Sequence, residues 1–149
     1  MKKEYFMMMV GIAGSFISNL FGGWTSGIAT LLIMMALDWT TGLMVAGIFK
    51  ASTKSDNGAL NSSAGLKGLC KKVVMLIMVI MAHRLDLVIG TDYIRDAVVI
   101  ALIVNETISI LENAGLMGLP IPKVLFKAID ILKEDSGEND GEDVEDEKE

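Results

Sequence analysis

Residues 5–49 run for 45 positions with a single charged side chain, Asp38. A helix on the surface of a soluble domain keeps a charged face toward water. A run of this length without one excludes an ordinary globular fold and calls for a bilayer. The overall composition agrees, with 52% hydrophobic residues and a mean hydropathy of +0.49. The net charge of −6 hides a division of the chain. Residues 134–149 hold ten acids and one Lys, whereas residues 1–133 hold twelve bases and nine acids. The chain reads as a slightly basic apolar body followed by an acidic tail.

A helix that crosses hydrocarbon needs about 20 apolar residues. Four segments approach that length: residues 5–21, 28–49, 73–89 and 97–114. The expected fold is therefore an all-α integral membrane protein of three to four transmembrane helices. Gly22, Gly23, Thr25, Ser26 and Gly27 break the first pair; Gly90, Thr91 and Asp92 break the second. Residues 5–21 are short and contain Gly11, Gly14, Ser15, Ser18 and Asn19. They read as a span, an interfacial helix or a signal segment.

Loop charge sets the expected orientation. Residues 50–72 carry Lys50, Lys54, Lys67, Lys71 and Lys72 against one acid, Asp56, which places this basic loop in the cytoplasm. With four spans, Lys2, Lys3, Lys123, Lys127 and Lys133 fall on the same side, so both termini are expected in the cytoplasm. Residues 1–114 thus form the transmembrane region. Residues 115–133 form a Gly/Pro turn and a short amphipathic helix, with Val124, Leu125, Ala128, Ile129 and Leu132 at helical spacing. Residues 134–149 lack any apolar period and are expected to be disordered.

Charges within apolar segments are costly, and they are normally paired or face water. Asp38, His83, Arg84, Asp86 and Glu106 are so placed. Asp38 and Glu106 are central in their segments, and Arg84 is expected to pair with one or both. Asn105, Glu106, Ser109, Glu112 and Asn113 make a polar stripe on the fourth segment. Asp38, Thr41 and Gly42 make a polar patch on the second. These eleven residues are the candidates for a pore lining or a helix interface. A set of buried pairs that only locks the bundle explains each of them singly about as well.

Other chemistries find little support. Cys70 stands alone and His83 is the only histidine, so neither a disulfide nor a zinc site is expected, and no cofactor. No phosphate-cradling loop and no fixed repeat occurs. No basic patch is dense enough for nucleic acid. No enzymatic activity is expected. A small ion channel or transporter with Asp38 and Glu106 as its carboxylate site remains the alternative to a larger hole among many chains.

Three stretches resemble one family. Leu37-Asp38-Trp39-Thr40-Thr41-Gly42 resembles its Asp-x-x-x-Gly element. The stretch from Asn61-Ser62-Ser63-Ala64-Gly65-Leu66 through Lys67-Gly68-Leu69-Cys70-Lys71-Lys72 resembles its cytoplasmic loop. Asn105-Glu106-Thr107-Ile108-Ser109-Ile110-Leu111-Glu112-Asn113-Ala114-Gly115, followed by Gly118-Leu119-Pro120-Ile121-Pro122, resembles its most distinctive segment. The family is the toxin-secretion and phage-lysis holins. The resemblance covers residues 28–133 or so. It implies a homo-oligomer in the lipid bilayer whose holes pass a phage endolysin or a large toxin, with an antiholin as a further partner. Met7, Met8 and Met9 follow Lys2 and Lys3, so a start at one of them would give a shorter product beside a longer, inhibitory one.

Overall fold

The computed structural model describes residues 2–54 and 58–136, and among these the chain is built from helices with no strand. The helices are α1 (Lys2–Leu20), α2 (Ser26–Met44), α3 (Ser62–Ile89), α4 (Ile94–Leu116) and α5 (Lys123–Ser136). α2 continues into one wider helical turn, Val45–Phe49. The unit Ser26–Phe49 is the one helix among the described residues long and apolar enough throughout to cross a membrane by length and composition alone.

Helix starts follow the side chains that can satisfy free backbone N–H groups. The Thr25 hydroxyl accepts from the Ile28 N–H at 3.3 Å. Asn61 Oδ1 accepts from the N–H groups of Ser63 and Ala64. The Asn61 cap starts α3 eleven residues before the apolar stretch that begins at Val73. Lys67, Lys71 and Lys72 therefore sit on a helix and not in the expected loop.

The core lies where α2, α3 and α4 meet. Its first cluster is Ile28, Leu31 and Met35 of α2, Met75 and Val79 of α3, and Val99 and Leu102 of α4. The inward stripes alternate steps of three and four residues. On α3 the buried positions are Met75, Val79, Ala82 and Asp86. Such spacing keeps one seam facing the bundle axis. α5 folds back along α4, and Ile129 is buried with Val104 and Leu111. Leu132 is half-buried beside it, while Val124, Leu125 and Ala128 of the same apolar face stay exposed. α1 stands apart: none of its residues is buried, and a Cβ added at Gly11 or Gly14 would meet nothing within 4 Å.

α5 takes in residues 134–136 of the acidic tail. The expectation of disorder for residues 137–149 lies outside the described residues.

Candidate functional site

The inward stripes carry polar residues one turn beyond the apolar cluster. On α2, Asp38 follows Met35 by three; on α4, Glu106 follows Leu102 by four; on α3, Lys72 precedes Met75 by three. The three side chains meet. Lys72 Nζ donates to Asp38 Oδ2 at 2.8 Å and also to Glu106 Oε2. All three are largely withdrawn from solvent, with side-chain exposures of 12% for Lys72, 14% for Asp38 and 3% for Glu106. Asn113, two turns past Glu106, extends the group. Its Nδ2 donates to Asp38 Oδ1 at 3.2 Å and to Thr41 Oγ1 at 3.0 Å. The Thr41 hydroxyl in turn donates to the Leu37 carbonyl at 2.9 Å. Two carboxylates thus share one ammonium and one amide, which leaves one negative charge in excess.

Beside this group lies a cavity of 640 Å³. Asp38, Lys72, Glu106, Ser109 and Gly42 form its floor. The carboxylates therefore border open space rather than being sealed in packed side chains. That access lowers the cost of the excess charge.

Arg84 does not join the group. It is exposed, between the inward positions Ala82 and Asp86. Depth also excludes it. Arg84 is six residues from Gly90, or about 9 Å along the helix, whereas Asp38 is twelve residues into α2, or about 18 Å. The expected Arg84 pair is thus replaced by a Lys72 pair. Reading Lys72 as part of the loop concealed it. The step of three from Lys72 to Met75, continuing the stripe to Val79 and Asp86, is the signal that finds it.

A second polar group closes the opposite end of the bundle. Asp86 is 3% exposed. Its Oδ1 accepts from Thr91 Oγ1 at 2.6 Å and from the Ile94 N–H at 3.0 Å, and its Oδ2 accepts from the Arg95 N–H at 2.8 Å. Asp86 therefore caps the start of α4 from the end of α3 and fixes the turn between them. Arg95 Nη1 donates to the Gly22 carbonyl at 2.8 Å, and so ties in the turn before α2. His83 packs on the same turn. A Cβ at Gly22 would lie 2.5 Å from His83 Nδ1, and Gly22 also has φ +76.

The remaining sequence candidates separate. Ser109 lines the cavity, Asn105 is half-buried outside the network, and Glu112 is exposed near α5. Gly42 has room: a Cβ there would meet Asn113 Nδ2 at an ordinary 3.8 Å. Among the described residues no group of three or more His, Cys, Asp or Glu could hold a metal ion. Every buried side-chain N or O among them has a hydrogen-bond partner.

Comparison with known proteins places this bundle. The model of the bacteriophage holin family matches residues 15–134. An uncharacterized protein of Halalkalibacterium halodurans is 44% identical over 125 residues, covering 80% of this chain and 87% of its own. An uncharacterized protein of Listeria monocytogenes is 38% identical, covering 85% of this chain and 86% of its own. A probable holin of Bacillus phage phi105 is 27% identical, covering 71% of this chain and 73% of its own. No solved structure matches the chain.

Proposed function

The chain belongs to the bacteriophage holin family, and on that premise we propose that it oligomerises in the bacterial cytoplasmic membrane to form holes that release an endolysin or a large toxin. The observation that carries the reading is the group of Asp38, Lys72, Glu106 and Asn113, contributed by three helices and bordering a cavity. In one bundle the group is internal, and two carboxylates depend on one lysine. In a ring of many chains the same faces of α2 and α4 line the hole, and water solvates each charge separately. Hydration then favours the ring once enough copies have gathered. α1, which buries nothing in its own chain, is available for contact with lipid or with neighbouring copies.

In this reading α2, α3 and α4 span the bilayer and α1 adds a fourth crossing. Lys50, Lys54, Lys67, Lys71 and both termini lie toward the cytoplasm. Trp24 and Tyr93, both well exposed, mark the outer headgroup level, where aromatic residues collect.

The excess carboxylate beside open space also suits a cation site, so the competing reading is a small channel. Leak size separates the two. The chain is expressed in bacterial cells with a cytoplasmic reporter enzyme, and both potassium and enzyme activity are followed in the medium. Release of folded enzyme is expected. Efflux of potassium with complete retention of the enzyme would establish the channel instead.

A further inference from the structure

The cavity between α2 and α3 has an acidic floor and a basic mouth. Its mouth carries Lys54, Lys67 and Lys71, all exposed. No described carboxylate forms an ion pair with any of these three, in contrast to Lys72 beside them. Lys67 and Lys71 stand four apart on one helix face, an arrangement in which like charges repel. The first turn of α3 holds no acid to offset them. One wall of the same cavity is apolar: Trp39 and Leu43, four apart on α2, and Ala46 in the wider turn that continues it.

A cationic rim joined to an apolar wall is complementary to an amphiphile with a negative head. We propose that this cavity binds an anionic phospholipid of the inner leaflet. Lys54, Lys67 and Lys71 hold its phosphate, and an acyl chain lies along Trp39, Leu43 and Ala46. The proposal rests on the membrane placement given above, which turns this mouth toward the cytoplasmic leaflet, within reach of its headgroups for lysine side chains that extend along the helix. The volume falls within the roughly 300–1,000 Å³ of sites that enclose small ligands. A free phosphate would leave the apolar wall bare. A zwitterionic lipid would bring its own ammonium against three lysines. The excess negative charge of the floor keeps the phosphate at the mouth and the Asp38–Lys72–Glu106 group undisturbed. Basic pockets between membrane helices on the cytoplasmic side recognise anionic headgroups by this charge arrangement.

The test uses the full chain, purified in mild detergent with equal amounts of phosphatidylglycerol and phosphatidylcholine, and counts retained lipids by native mass spectrometry. Wild-type protein is expected to retain phosphatidylglycerol over phosphatidylcholine by about tenfold or more, since two or three lysines near a headgroup are worth at least that. Lys67→Gln with Lys71→Gln should bring the ratio near one. Lys54→Gln, in the loop, should lower it several-fold without touching a helix. Lys123→Gln with Lys127→Gln, on α5, should leave it unchanged. Equal retention of the two lipids by wild type would overturn the proposal, as would a preference indifferent to the Lys67 and Lys71 changes. Displacement of the lipid by millimolar inorganic phosphate would also overturn it in favour of a free anion. A lipid preference in a chain that releases no enzyme would refute the hole and leave this site standing. Enzyme release without a lipid preference would do the reverse.

Discussion

At the Gly90 end of the bundle a buried carboxylate, Asp86, is answered by two backbone N–H groups and a hydroxyl. At the cavity end two carboxylates, Asp38 and Glu106, depend on the ammonium of Lys72. The partners of Asp86 belong to the turn that it builds, so they are lost only when the turn unfolds. The cavity end is held by long side chains on three separate helices. Those partners can be exchanged for water while every helix stays intact. The first arrangement anchors a fold; the second suits the opening proposed above.

Removing the shared cation should have the largest effect. Lys72→Ala leaves Asp38 and Glu106 facing each other without a counter-charge, and breaking a buried pair in this way costs about 3–5 kcal/mol. The expected outcome is a sharp fall in protease-resistant protein in the membrane. Wild-type resistance would show that the cavity already solvates both carboxylates.

Asp86→Ala should rank next. It strips the cap from α4 and leaves the Ile94 and Arg95 N–H groups without their acceptor, a loss of about 1–2 kcal/mol or more by comparison with single caps. Thermal unfolding in detergent should shift down. Asp86→Asn should recover part of the loss, because its one carbonyl oxygen still accepts.

Glycine sharpens the same contrast. Gly22→Ala places a side chain at φ +76, at a cost of about 1–2 kcal/mol, and drives its Cβ into His83 and Arg95. Lower stability is expected. Gly42→Ala meets only ordinary contact and gains helix propensity of up to about 1 kcal/mol, so the single chain should be as stable or more so. A changed lysis time in Gly42→Ala with unchanged stability would locate Gly42 between copies. Arg84→Gln, exposed and outside both groups, should stay within about 0.5 kcal/mol of wild type.

Much of this was legible in the residues. The apolar run of residues 5–49, the Gly-rich breaks and the Pro120–Pro122 turn give the helices and their order. The positions of α2 and α4 follow closely, because both begin at a break and their apolar stripes are continuous. Asp38, Glu106 and Asn113 were visible as polar positions on inward faces. The partner was not. Arg84 stands inside an apolar segment and draws attention, while Lys72 stands at the edge of one beside Lys71. Composition favours the first and periodicity the second. The role of Asp86 was hidden for another reason. A cap made across a turn depends on how the chain reverses at Gly90, and hydropathy carries no record of that. The docking of α5 on α4 was half legible: its apolar face could be read, but not that Ile129 and Leu132 are the part of it that packs on α4.

The claim that the Lys72–Glu106 contact governs the hole is tested most directly by a double-mutant cycle. Lys72→Gln, Glu106→Gln and the pair together are compared at matched membrane abundance, and the readout is the onset of release of a folded cytoplasmic enzyme. Each single change should shift the onset, and the double change should shift it by less than the sum, since the two groups lose each other only once. Additive shifts, or wild-type timing in all three, would contradict the claim.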